Sequence, residues 1–251
     1  MVLLMYLMAR EGVAFINKFK WIGLSGLLGA CGLVGAFSGF IWSITLTTAA
    51  NTLFMLAATP FIAAFLGIVL LQEKIRHLTW VAMAIALVGM LIMVLEGLKA
   101  GNFLGNMMAL VSAVGFAVFA VSLRWRKETP QFTTVALAGA LCALLTMLIL
   151  LFHKDTLAMP LRNVYLSILH GFIVGCGLIL FSMGAKFLPA AELTLLTMIE
   201  VVAGVLWVYL PIFGIHEVPS VLTVVGGVIV LSAIVLDGVS ARQQRQMIGI
   251  T

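Results

Sequence analysis

The chain has 251 residues, of which 63% are hydrophobic and 9% are charged, and its mean hydropathy is +1.23. A soluble domain of this length would have to expose large apolar patches to water, so the composition predicts a polytopic membrane protein. The formal net charge of +5 is spread over short runs between apolar stretches. This pattern argues against nucleic-acid binding and is typical of a membrane topology signal.

In chain order, the first apolar stretch is MVLLMYLM at residues 1–8. It is too short to cross a bilayer, and it has neither the basic start nor the cleavage site of a signal peptide. We expect it to be the end of a helix that begins before this sequence does.

Eight later stretches are long enough to cross the hydrocarbon core, which takes about 20 helical residues. The sequence therefore predicts an all-α membrane protein with eight full spans and one partial span. The first full span carries a glycine at every third or fourth position, which predicts a close approach to its neighbours. The eight spans are 22–46, 49–71, 78–95, 102–123, 132–152, 163–185, 191–213 and 219–237.

The Lys and Arg residues between the spans predict the orientation. When alternate loops are assigned to opposite sides, 11 of the 14 Lys and Arg residues fall on one side and 3 on the other. Cytoplasmic loops carry the excess of these residues. We therefore expect a multi-pass protein of the inner (plasma) membrane whose C-terminal tail, residues 239–251, is cytoplasmic.

An internal repeat relates the two parts of the chain. Residues 47–73 align with residues 188–217 at an offset of 141, and Thr59 then falls on Glu200. The spans on either side of the aligned segments also correspond. Repeats of this kind recur in secondary transporters, where the binding site lies near the midplane between the two halves.

The predicted topology indicates that the two copies are inverted. With three extra residues in the second copy, Glu73 falls on Glu217, and these two residues lie in loops on opposite sides. This predicts a first repeat at 1–98 and a second at 99–238. The second repeat has five spans, so we expect about one and a half helices of the first repeat to be missing.

Two motifs within the repeats resemble a known family. The run T-x-A-A-N…A-x-x-P-x-x-A…L-x-x-E in residues 47–73 resembles the EamA-like branch of the drug/metabolite transporter superfamily. The run P-A-A-E…L-x-x-x-I-E-V-V-A-G-V-L at 189–206 resembles the L-E-P-V-x-A run of that family. The resemblance implies two inverted five-helix repeats and export of amino acids or similar small metabolites. Val201 stands where the family usually has proline, so a proline kink is not imposed beside Glu200.

Glu200 is the first candidate site residue, because a carboxylate in the middle of a span is costly. Inserting an acidic residue at a helix centre costs about 2.5 to 3.5 kcal/mol, so we expect Glu200 to face protein or water rather than lipid. Helical spacing places Thr197 on the same face, which favours the wall of a substrate cavity. Proton coupling is a hypothesis that rests on Glu200. The alternative is a carboxyl group that hydrogen-bonds a neighbouring helix for packing.

Four further residues inside the spans are candidates for the cavity wall, each with a structural alternative. Thr59 precedes a proline and is the repeat partner of Glu200, although the dipeptide could serve only to kink the helix. His170 could bind substrate or pair with a carboxylate, or it could be a hydrogen-bonded packing residue. Trp42 is alternatively an interface-belt residue, and Ser112 is alternatively a small packing residue.

Polar residues near the span ends are candidates for helix caps or gates. Glu192 lies in the first turn of its span, where an acidic residue favours the helix N-terminal dipole, and Asn51 matches it in the first repeat. Glu73 and Lys74, with Glu217 opposite, are candidates for an interface or gate. Solvated loop charges are the alternative for these three residues.

No catalytic, metal or cofactor site is predicted, because the sequence has no H-E-x-x-H motif and no cluster with metal-ligand spacing. The stretch GLSG at 23–26 resembles the serine motif of rhomboid intramembrane proteases, with His170 as a base, but the rest of that motif is missing. We therefore expect a transporter for a small-molecule substrate in a lipid bilayer rather than an enzyme. A channel or a non-transporting membrane subunit is the alternative, and a homo-oligomer stays open.

Overall fold

The computed structural model describes residues 22–95, 102–125, 131–153, 160–203 and 220–247. Within these ranges the secondary structure is helical and includes no strand, which confirms the predicted all-α class. In chain order the helices are α1 (Gly23–Leu46), α2 (Ala49–Leu56), α3 (Thr59–Leu71), α4 (His77–Val94), α5 (Phe103–Trp125), α6 (Gln131–His153), α7 (Leu161–Gly184), α8 (Ala190–Thr197) and α9 (Val221–Met247). Residues 199–203 are also helical.

Six helical segments of the described ranges are long and apolar enough to cross a membrane. Helix α4 is a shorter apolar helix. Helices suit the bilayer because each satisfies its own backbone hydrogen bonds where no water is present. The prediction of eight full spans stays a prediction, and residues 1–8 and the second half of the predicted span 191–213 lie outside the described ranges.

Two of the predicted spans are broken helices, and the breaks fall at matching places. The predicted span 49–71 is divided into α2 and α3 by a turn at Ala57 and Ala58. The predicted span 191–213 is interrupted at Met198, directly after α8. Helices α2 and α8 have eight residues each. Ala57 and Met198 differ by the repeat offset of 141.

The two breaks have different local causes. In the first, Pro60 has no N–H to donate to the carbonyl of Leu56, and the hydroxyl of Thr59 donates to that carbonyl instead, at 2.6 Å. In the second there is no proline. The N–H of Val201 donates to the carbonyl of Met198, only three residues earlier, at 3.2 Å. The chain therefore turns beside Glu200 although proline does not impose it.

Glycines bring two helix pairs into backbone contact. In the pair α1–α5, a Cβ at Gly32 would lie 2.7 Å from the carbonyl oxygen of Gly115. In the pair α4–α9, a Cβ at Gly226 would lie 2.5 Å from the carbonyl oxygen of Gly89. Only glycine allows backbones to approach so closely. In the span 22–46, Gly29, Gly32 and Gly39 lie against α5, whereas a Cβ at Gly35 would meet no described atom within 4 Å.

Helix α8 lies between two apolar clusters. Leu193 packs in a cluster with α1, α5 and α6, whereas Leu195 packs in a cluster with α4 and α9. Helix α8 thus contacts both glycine-packed pairs.

Helix α7 is the least buried of the six candidate spans. None of its most apolar window is buried inside the described structure, compared with 39% for α1 and 50% for α5. A Cβ at Gly171, Gly175 or Gly177 would meet no described atom within 4 Å.

Helix α9 is longer than the predicted span that ends at residue 237. It has 27 residues and continues to Met247, so most of the segment predicted as a tail is helical. At 1.5 Å per residue this helix is about 40 Å long.

Candidate functional site

Glu200 lies in the short helical segment that follows the break at Met198. Its side chain is exposed at the surface of the described structure, as is that of Ile199, whereas Met198 and Val202 face the apolar core. Within the described ranges, no hydrogen bond or ion pair joins Glu200 to another residue. The carboxylate is therefore placed beside a break in the helix, without a described ionic partner.

The two threonines near the breaks use their hydroxyl hydrogens locally. Thr59 is buried and donates to the carbonyl of Leu56, as described above. Thr197 is half-buried and donates to the carbonyl of Thr194 at 2.7 Å. Both hydroxyl oxygens keep their capacity to accept a hydrogen bond.

His170, Trp42 and Ser112 lie in different environments. His170 is on the exposed face of α7, and Trp42 on α1 is 51% exposed. Ser112 on α5 is buried and donates to the carbonyl of Ala36 on α1 at 2.7 Å. This contact supports the packing interpretation of Ser112.

Asn51 is buried near the start of α2, but the capping group there is the neighbouring Thr48. The Oγ1 of Thr48 accepts from the backbone N–H of Asn51 at 3.1 Å. The side chain of Asn51 donates to Oγ1 of Thr47 at 3.1 Å. Asn51 thus holds the α1–α2 turn and does not itself provide the cap.

Glu192 lies in the first turn of α8 and is 8% exposed. Its carboxylate forms an ion pair with Arg76, at 3.0 Å between Glu192 Oε1 and Arg76 Nη2. The same guanidinium pairs with Asp237 at 2.8 Å. The hydroxyl of Thr79 also donates to Oδ1 of Asp237, the oxygen that contacts Arg76, at 2.8 Å.

A second ion pair lies at the same end of the bundle, where α3 ends and α8 begins. Arg124, in the last turn of α5, donates through Nε to Oε1 of Glu73. Oε2 of Glu73 accepts from the backbone N–H of Ala190 at 3.3 Å. Arg124 also donates to the carbonyls of Ala185, at 2.8 Å, and Leu188.

The left-handed conformation of Gln72 aims Glu73 at this position. Gln72 has φ 53°, and the N–H of Glu73 then donates back to the carbonyl of Gly67 at 3.1 Å. A side chain at Gly67 would meet the Glu73 carboxylate, since a Cβ there would lie 2.9 Å from Oε2.

We call the following five residues the charged cluster: Glu73, Arg76, Arg124, Glu192 and Asp237. The sequence pointed to Glu73 and Glu192 but not to Asp237, and it counted both arginines only as topology signals. Asp237 could have been found from the sequence, because it is the one acidic residue in the helix α9 and lies at the end of the predicted span. Among the described residues, no three His, Cys, Asp or Glu side chains are grouped to hold a metal ion.

Comparison with family models assigns the first part of the chain. Residues 1–95 match the model described as the EamA-like transporter family. Over these residues, which make up less than half of the chain, the protein is similar to the EamA-like transporter family. The match confirms the resemblance predicted from the motif in residues 47–73. The second motif, at 189–206, lies outside the matched residues.

Solved structures share the fold of this chain. One, titled only "Crystal structure of protein", superposes with a TM-score of 0.76 at 18% sequence identity. The superposition covers 97% of this chain and 84% of that chain. At this identity the likeness shows the fold alone. A search of curated proteins gives no significant match.

The match over residues 1–95 and the six apolar helices together support a multi-pass membrane protein similar to transporters of the drug/metabolite type. Proteins of this family are transporters rather than enzymes. A small-molecule substrate and a lipid environment follow at the level of the family.

Proposed function

We propose that the protein is a secondary transporter that exports amino acids or similar small metabolites by alternating access. Its two inverted halves, residues 1–98 and 99–238, alternately open a central path to either side of the inner membrane. The observation that carries the proposal is the pair of matched broken helices. Discontinuous helices at corresponding places in two repeats form the substrate and coupling-ion sites of secondary transporters.

The contacts of Glu73 support the inverted arrangement of the halves. Glu73 lies two residues after the end of α3, and its carboxylate accepts from the first N–H of α8, that of Ala190. The broken helix of the first half therefore ends where that of the second half begins. A same-direction repeat would bring equivalent ends together instead.

Glu200 is the proposed binding or coupling residue of this transporter. It follows the break at Met198 and has no ionic partner among the described residues. A carboxylate in a membrane span is costly unless it has a function or a partner. Glu200 therefore binds a cationic group of the substrate or a proton, and Thr59 and Thr197 offer hydroxyl oxygens at the two breaks.

Efflux from proteoliposomes tests the function. The purified chain is reconstituted into vesicles loaded with a mixture of labelled amino acids, and release is followed with and without a pH gradient. We expect saturable release that Glu200→Gln lowers at least about tenfold, about 1.4 kcal/mol. Glu200→Asp, which keeps the carboxylate, is the matched variant and retains part of the flux.

Each outcome of the efflux experiment has a defined meaning. Release that rises linearly with the loaded concentration, without saturation, would indicate a channel. No release above empty vesicles contradicts the transporter proposal. If release by the wild-type protein does not depend on the pH gradient, only the proton-coupling part of the proposal is contradicted.

A further inference from the structure

We propose that the charged cluster is the gate at one end of the transport path. It opens when Glu73 and Glu192 leave their arginines, while Arg76 and Arg124 each keep a second partner. The inference rests on the proposed alternating access and adds to it the residues that close one end.

The ion pairs of the cluster all join the two proposed halves. Glu73 and Arg76 belong to residues 1–98, and their partners Arg124, Glu192 and Asp237 belong to residues 99–238. Charge-assisted hydrogen bonds are roughly twice as strong as neutral ones. The pairs Glu73–Arg124 and Arg76–Glu192 therefore close this end, whereas the pair Arg76–Asp237 joins α4 to α9, two helices that stay together.

The opposite end of the helix pair α4–α9 is joined more weakly. There the hydroxyl of Thr223 donates to the carbonyl of Met93 at 3.3 Å, a neutral and rather long hydrogen bond. Among the described residues, the three ion pairs lie at the charged end. A transporter held in this way is closed at its charged end.

Arg76 has a partner that survives the opening. Its guanidinium contacts Asp237 at 2.8 Å and Ser240 at 3.2 Å, besides Glu192. Asp237 lies on α9, which is locked to the helix of Arg76 by the backbone contact of Gly89 and Gly226. Departure of Glu192 on α8 therefore leaves no unpaired buried charge, which would be strongly unfavourable.

Arg124 is held in an equivalent way. It donates to the carbonyls of Ala185 and Leu188, at the end of α7 and before α8, besides Glu73. When Glu73 leaves with the end of α3, the guanidinium keeps these two acceptors. The two departing glutamates lie at the ends of the broken helices, and at the end of the bundle they become hydrated once the gate opens.

Cysteine labelling tests the gate without any substrate. Ala63 is fully buried beside Ala190, just behind the Glu73 contact, and serves as the reporter position. Ala63→Cys is made in a background in which the three natural cysteines are replaced. The protein is placed in nanodiscs and treated with a membrane-impermeant maleimide. We expect Glu73→Gln and Glu192→Gln each to raise the labelling rate about tenfold, about 1.4 kcal/mol.

The control and the double variants identify the contact responsible. Lys74 was also a gate candidate, but it is exposed and pairs with no described acidic residue, as expected for the alternative of a solvated loop charge. Lys74→Gln should therefore leave the labelling rate within about twofold. Adding Arg124→Gln to Glu73→Gln should change the rate little, because both remove the same contact. Combining Glu73→Gln with Glu192→Gln should multiply the two effects.

The proposal is overturned if both Gln variants label like the parent, or if Lys74→Gln labels as fast as they do. Circular dichroism and size exclusion check that each variant is folded, and Glu73→Asp replaces Glu73→Gln if the latter does not fold. Efflux that persists with unchanged labelling contradicts the gate alone. Faster labelling in a chain without efflux contradicts the transport function alone.

Discussion

The contact between α1 and α5 leaves no room for a side chain at Gly115. A Cβ there would lie 2.7 Å from the backbone nitrogen of Ala36, and closer still to the carbonyl oxygen of Gly32. Both neighbours are main-chain atoms of a helix, so relief requires the two helices to separate. We predict that Gly115→Ala destabilises the protein, and that Gly175→Ala on α7 does not.

The size of the difference follows from two opposing effects. Replacing glycine by alanine inside a helix is favourable by about 0.8 to 1.0 kcal/mol. Overpacking costs about 1 to 3 kcal/mol, and a clash of the added Cβ with two main-chain atoms of α1 belongs at the upper limit. The expected net loss for Gly115→Ala is therefore about 2 kcal/mol. Gly175 has no described atom within 4 Å of its virtual Cβ, so only the favourable effect applies there.

Unfolding of the purified protein in mixed micelles, titrated with sodium dodecyl sulfate and followed by far-ultraviolet circular dichroism, measures both variants. The two should differ by about 3 kcal/mol. Equal losses for both would refute the reasoning, since they would mean that the α7 face is packed as tightly as the α1–α5 contact. A stabilised Gly115→Ala would show that the two backbones do not approach as described.

Three further predictions use the same unfolding assay. Thr59→Ala should lose about 1 kcal/mol of unfolding free energy, because it removes the hydroxyl that donates to the carbonyl of Leu56 in place of the N–H that Pro60 lacks. Thr59→Ser keeps this hydroxyl and should keep the stability. Arg76→Gln should lose about 3 to 5 kcal/mol by removing the cationic partner that two buried carboxylates share, and a loss no larger than that of Lys74→Gln would contradict this. Ser112→Ala should lose about 1 kcal/mol, more than Ser232→Ala, whose hydroxyl is exposed on its own helix.

The helix positions could be read from the sequence, because the thickness of the hydrocarbon core fixes the length of an apolar span. The predicted span 22–46 corresponds to α1 and the predicted span 132–152 to α6, each within about a residue. The resemblance to the family could be read from the motif in residues 47–73, and the family model matches residues 1–95, which include that motif. These features depend on local composition or on short-range spacing.

The break at Met198 and the ion pairs could not be read in the same way. No proline marks the break; only alignment with Ala57 through the repeat offset would have located it. Arg76, Glu192 and Asp237 are far apart in sequence, and their pairing depends on how α4, α8 and α9 meet. A count of Lys and Arg by loop records the charges but not their partners.

The surroundings of Glu200 illustrate a different limit. Its position beside a broken helix follows from the repeat, but the groups that a carboxylate meets depend on neighbouring helices and on bound molecules. The sequence therefore singles out the residue, and the proteoliposome experiment decides its role.

The length of α9 has a practical consequence for imaging a membrane protein of 26.9 kDa. A helix of about 40 Å exceeds the roughly 30 Å hydrocarbon core by about 10 Å, so about two turns of an upright helix extend from the bilayer as a stiff stalk. A soluble helical module joined to this stalk in continuous register would have no hinge between itself and the bundle. Its orientation would then report that of the whole particle in electron cryomicroscopy.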